Sequence, residues 1–171
     1  MEKYYRQTIG SPVITRLGEV LTRVTDIILD TEKGKIVGFA VAAGRTKVVA
    51  PIDIVNWNQS ITIGDSGDII EVEDVIHIQK TLEKGVTIVK KRVFTKSGDY
   101  IGKVLDYGMN NKYFELTCII VAKNFLGIVY WDKKIISAKD IIEIKKDRIV
   151  VKDLVTPLKM KKFQVDMAAT S

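Results

Sequence analysis

The chain has 171 residues, 46% hydrophobic and 28% charged, with a net charge of +6, an ordinary globular composition with enough apolar material for a core. No run of about 18 apolar residues occurs, so no membrane-spanning helix is expected, and residues 1–12 lack the apolar centre of a secretory signal. The single cysteine, Cys118, excludes an internal disulfide and fits a reducing, cytoplasmic setting. The charge is uneven: residues 1–85 hold 10 Lys and Arg against 12 Asp and Glu, net −2, and residues 86–171 hold 17 against 9, net +8.

From its N-terminus the chain repeats itself. Residues 13–26 align with residues 93–106 at a shift of 80, with identities at Val13/Val93, Thr15/Thr95, Gly18/Gly98, Val24/Val104 and Asp26/Asp106. The shift becomes 87 where residues 48–55 meet 135–142, so the second copy carries seven extra residues between these blocks. Gly18 and Gly98 each punctuate two β-branched runs, as a tight turn with positive φ requires. Residues 20–30 are rich in Val, Ile and Thr and read as a strand, residues 31–34 as a turn, and residues 35–43 as a second strand. Simple alternation in that strand puts Val37, Phe39 and Val41 on one face and Ile36, Gly38 and Ala40 on the other. Residues 116–122 are apolar almost throughout, which predicts a strand covered on both faces.

Between the copies, Val75, Ile78 and Leu82 recur near helical spacing, with Gly85 placed as a C-cap. A short helix over 74–84 is expected there, against the alternative of a further strand. The fold class is therefore all-β: two tandem small β-barrels joined by a short helix or linker. The divisions are 1–75, a linker at 76–88, 89–155, and a flexible tail at 156–171. The duplication predicts that each copy closes its own core and leaves surface loops to carry activity.

Residues 16–26 with the block Pro51, Ile52, Asp53, Ile54, and residues 96–106 with Ala138, Lys139, Asp140, Ile141, resemble the PRC-barrel domain family. The second copy fits better, because it has Gly102 where the first has Thr22. The resemblance implies two tandem small β-barrels. It also implies protein–protein contact and assembly, as in the cytoplasmic part of the photosynthetic reaction-centre H subunit, a ribosome maturation factor and stand-alone prokaryotic proteins.

Candidate chemistry is sparse. His77 is the only histidine and cannot supply a multi-histidine metal site. Cys118 lies in an apolar strand, where an inert buried thiol is expected. The acids Asp65, Asp68, Glu71, Glu73 and Asp74 lack EF-hand spacing and read as a solvated face. Asp26 and Asp106 occupy equivalent places, as do Asp53 and Asp140, so these carboxylates are expected to fix turns or satisfy backbone donors. No catalytic, cofactor or metal residues are assigned, and no enzyme activity is expected.

The extra segment of copy two contains Phe125, Leu126, Ile128, Tyr130 and Trp131. Its aromatic and aliphatic character makes it the candidate interface for a protein partner or a second copy of the chain, against the alternatives that it packs between the two barrels or extends a hairpin. Trp57 is a weaker candidate of the same kind. The alternative reading is an RNA- or ribosome-associated maturation factor, using the basic runs Lys90, Lys91, Arg92, then Lys145, Lys146, Arg148, then Lys159, Lys161, Lys162. Acids interrupt these runs, and no RNA-binding aromatic signature accompanies them in sequence.

Overall fold

The computed structural model describes residues 1–42, 46–125 and 129–153, with residues 124, 125 and 129–132 described by backbone alone. The strands are β1 (Glu2–Tyr4), β2 (Pro12–Thr15), β3 (Val20–Asp30), β4 (Lys35–Val41), β5 (Lys47–Val49), β6 (Ile54–Trp57), β7 (Ile61–Ile63), β8 (Ile69–Glu71), β9 (Arg92–Thr95), β10 (Tyr100–Asn110), β11 (Glu115–Phe125), β12 (Val129–Ser137), β13 (Ile141–Ile144) and β14 (Arg148–Val151). Among the described residues two α-helices accompany them, α1 (Tyr5–Thr8) and α2 (Ile76–Lys84). The protein is mostly β; ten of the described strands form one curled path, β13-β14-β9-β10-β11-β4-β3-β2-β7-β6, and β1, β5, β8 and β12 pair off it.

The two halves repeat one hydrogen-bonding plan. β2 runs parallel to β7 with Val13 opposite Ile61, and β9 runs parallel to β14 with Val93 opposite Ile149. The β3–β4 ladder slips between Val24 and Asp26 and again between Ile28 and Leu29. The β10–β11 ladder slips at the same places, between Val104 and Asp106 and between Gly108 and Met109. Gly18 and Gly98 hold φ of 86° and 99°, and each donates its amide N–H to the Thr15 or Thr95 carbonyl at 3.0 Å. Here glycine supplies a conformation that a Cβ disfavours.

The halves meet where β4 pairs with β11. Lys35 faces its own counterpart, Glu115, across the junction, and their side chains form a 2.6 Å ion pair. The Ile36 N–H donates to the Phe114 carbonyl at 2.8 Å, and the Leu116 N–H donates to the Gly34 carbonyl at 2.8 Å. Exchanging the halves turns one of these bonds into the other, so the junction has a pseudo-two-fold axis. The ion pair is exposed and contributes little; the apolar residues beneath it matter more.

One core runs beneath both halves, which corrects the expectation of separate cores. Phe39, Trp57 and Phe114 meet there, at ring-centroid distances of 4.9 Å for Phe39–Trp57 and 5.8 Å for Trp57–Phe114. Apolar area is shared at the junction, because Phe114 of the second half packs with Phe39 and Trp57 of the first. Trp57 is therefore no surface anchor: it is 3% exposed, and its carbonyl accepts a 2.7 Å bond from Asn111 Nδ2 of the other half. The N-terminal strand also crosses over. β1 pairs with β10, placing Tyr4 opposite Gly108, and Glu2 Oε1 accepts from Thr117 Oγ1 at 2.6 Å.

Strict alternation fails in β4. Ile36 pairs with Leu29 and Gly38 with Ile28, so Val37 is an extra residue. Such a bulge reverses the facing of what precedes it. Ile36 consequently joins Phe39 and Val41 in the main core, whereas Val37 packs on a smaller cluster of Ile28, Val48 and Ile78. α2 supplies Ile78 to that cluster and ends at Gly85, which is left-handed with φ 61° and donates its N–H to the Leu82 carbonyl at 2.9 Å.

Candidate functional site

The aspartates that recur between the two halves have structural places in each. Asp26 Oδ1 accepts the Ile27 N–H at 2.8 Å, and Asp106 Oδ1 accepts the Tyr107 N–H at 2.9 Å, each beside a ladder slip. Each carboxylate satisfies a donor that the slipped ladder leaves over. Asp53 and Asp140 sit at the ends of equivalent single helical turns, Pro51–Asp53 and Ala138–Asp140. Asp140 also takes Lys152 Nζ at 3.2 Å. In the acidic run, Asp65 and Asp68 cap a short turn reciprocally, and Glu71 holds Lys47 at 2.6 Å and Thr46 Oγ1 at 2.6 Å. These three acids serve backbone and ion-pair roles.

His77 is exposed on α2. Cys118 is buried, and its thiol is pushed up to about 11, first by burial and then by Glu2 nearby. A thiol so held stays protonated at neutral pH and is a poor nucleophile.

α1 straddles the two equivalent aspartates. Tyr5 OH donates to Asp26 Oδ1 at 3.0 Å, and the Arg6 N–H donates to Asp106 Oδ1 at 3.1 Å. Tyr5 stacks on Tyr107 with centroids 5.0 Å apart. A cavity of about 170 Å³ opens beside them, lined by Asp26, Leu29, Leu82, Ile88 and the two tyrosines. It is smaller than the roughly 300 Å³ at which small-molecule pockets begin.

The tyrosines here set a pH response. The Tyr5 phenol is pushed up to about 12 by burial and then by Asp26, and the Tyr4 phenol to about 12 by burial and then by Glu2. The unfolded chain releases these protons near pH 10 while the folded chain keeps them. Their contribution to stability is therefore complete below about pH 10 and is lost as the pH rises through about 12. The urea midpoint should fall across that window, and Tyr5→Phe should fall less steeply. An equal slope in the variant would remove Tyr5 from the account.

The predicted interface lies on the β11–β12 hairpin. Pairing continues outward from Lys123 opposite Trp131, through Asn124 opposite Tyr130, to Phe125 opposite Val129. β11 and β12 span eleven and nine residues, against seven and three in their counterparts β4 and β5. Among the described residues, the pairing of Lys123–Phe125 with Val129–Trp131 thus lengthens the ladder in backbone terms. Phe125, Tyr130 and Trp131 share its outer end, whereas Leu126 and Ile128, and residues 154–171 with Lys159, Lys161 and Lys162, lie outside the described residues.

The long hairpin has a footing that sequence reading valued only as a family feature. Gly102 sits in β10 opposite the start of the extension, with φ 152°. A Cβ there would collide with the backbone carbonyl of Ala122.

No helix among the described residues is long and apolar enough to cross a membrane. None of the curated proteins matches the chain. Residues 1–78, from β1 to Ile78 in α2, match the family model of the PRC-barrel domain, and the first half of this chain is accordingly similar to that domain.

Proposed function

We propose that this chain is a non-catalytic, cytoplasmic protein-interaction or assembly module built from two tandem PRC-barrel-like units, at 1–75 and 89–155, joined through 76–88. PRC-barrel domains are a general protein-interaction and assembly family, and the match over residues 1–78 supports that class. The observation that carries the reading is the hairpin. β11 and β12 outgrow β4 and β5, and the outgrowth brings three aromatic residues, Phe125, Tyr130 and Trp131, to one end of the ladder. Aromatic side chains on a rigid element are effective interface anchors, because they lose little rotamer entropy for the area they bury.

Replacing Phe125 and Trp131 together with Ser should abolish retention of the partners that the intact protein holds in native lysate, with an unchanged circular dichroism spectrum. Retention of the same set by the double variant rejects the site. Self-association through the hairpin is the competing occupancy. It predicts a concentration-dependent sedimentation coefficient that the double variant loses.

A further inference from the structure

We propose that the outward face of β14, β9 and β10 is a platform for single-stranded nucleic acid, a second binding activity apart from the hairpin. The register sets Arg148 opposite Arg92 and Arg92 opposite Lys103. Three exposed cations therefore stand abreast on three neighbouring strands, a row spanning about 10 Å at the usual strand spacing. Two residues further along β9, Val150 faces Phe94 and Phe94 faces Tyr100. The other side of the same strands is core, with Val93, Val104, Ile149 and Val151 buried.

The aromatic pair is partly exposed, with a cation over one of its rings. Phe94 and Tyr100 rings lie 5.4 Å apart, Tyr100 is 42% exposed, and the Arg148 guanidinium lies 5.7 Å from the centre of the Phe94 ring. From the cation row the surface falls into an open groove of about 330 Å³, lined by Lys90, Lys91, Lys146, Arg92, Lys103 and Asp147. Asp147 is already engaged by Arg148 Nε at 2.8 Å, and Lys91 Nζ donates to the Lys146 carbonyl at 2.6 Å.

The first half shows that the fold does not need these residues. At the positions of Lys90, Lys91, Arg92 and Arg148 it has Gly10, Ser11, Pro12 and Ser60, and at those of Phe94 and Tyr100 it has Ile14 and Val20. Only Lys103 meets another cation, Arg23. Like charges on adjacent strands repel. Lys90 also adopts φ 69° where Gly10 adopts 83°, a left-handed conformation costly for a residue with a side chain. The second half keeps a strained lysine and a repelling row that its sister lacks.

A row of cations beside a tilted pair of partly exposed rings suits one class of ligand best. Single strands offer a phosphate backbone to the cations and base faces to the rings. An acidic peptide would engage the charges and leave the rings without a role. An anionic bilayer would call for aliphatic side chains around the cations rather than a ringed sheet face. Nothing on this face selects the ribose hydroxyl, so RNA and DNA should bind alike.

The test measures fluorescence anisotropy of labelled oligouridylate and oligothymidylate against the full chain over a range of salt. Both should bind at low salt and weaken as salt rises. Tyr100→Val, which installs the first half's residue, should weaken binding about 5- to 150-fold with the salt slope unchanged. Tyr100→Phe should keep the affinity. Lys90→Gly with Arg148→Ser should lower the slope of log K against log salt by about 1.4. Urea midpoints within the error of the parent establish that the variants fold. Absence of binding at low salt overturns the proposal. So does equal binding of polyglutamate or phosphatidylglycerol vesicles, or an affinity that Tyr100→Val leaves untouched.

Discussion

Replacing Gly102 with alanine should destabilise the protein by more than about 3 kcal/mol, whereas Thr22→Ala at the equivalent place should cost less than about 1 kcal/mol. Two effects act together at Gly102. Its φ of 152° is one that side chains rarely adopt. An added Cβ would also meet the Ala122 carbonyl carbon at 2.6 Å and the Lys123 nitrogen at 3.0 Å. Both neighbours are backbone atoms of β11, which cannot swing aside as a side chain can. β4 ends at Val41, the counterpart of Val121, while β11 runs on to Phe125. The close approach therefore belongs to the extension that carries the proposed interface. Urea denaturation of the pair of variants checks this. A Gly102→Ala midpoint near that of the parent would mean that the strands separate easily, and the hairpin would lose its rigid footing.

Phe39→Ala should cost about 3–5 kcal/mol, the usual range for removing a fully buried aromatic ring. Phe39 is fully buried and packs edge-on against Trp57, with Phe114 of the other half at a centroid distance of 6.4 Å. The cavity left by the ring cannot close from one side. Trp57 and Phe114 stack on each other at 5.8 Å, and Asn111 fastens the Trp57 backbone. The loss is thus felt in both halves, although Phe39 belongs to the first. Cores that share rings in this way unfold as one unit.

Much of the architecture was legible because the chain carries its own comparison. Gly18 and Gly98, and Asp26 and Asp106, recur at a fixed spacing, and each pair performs the same backbone task in the structure. Other features were hidden for physical reasons. Two positions that require positive φ hold glycine in the first half, Gly10 and Gly34, but Lys90 and Phe114 in the second. A reading that treats glycine as the sign of such turns passes over them. The bulge at Val37 has no residue signature, so alternation assigned Val37 and Ile36 to the wrong faces.

Trp57 reads as exposed among Asn56 and Asn58, yet its burial depends on a half of the chain that local pattern does not report. The crossing of β1 to β10 depends on Gly108, where a Cβ would meet Cys118, Glu2 and Thr117 side-chain atoms, whereas the first half holds Ile28 under α2. The aromatic face was missed differently. Phe94 and Tyr100 lie on separate strands, and only the register brings them together. Setting Ile14 and Val20 beside them in the repeat alignment was the available signal.

The account depends most on the two halves being one cooperative body about the β4–β11 junction. Amide hydrogen exchange in the parent and in Phe39→Ala measures this directly. The protected amides of β10 should lose the same free energy as those of β3, because the ring supports both. β10 protection left at the parental value, with loss confined to β3, would mean that the halves stand independently and would contradict it.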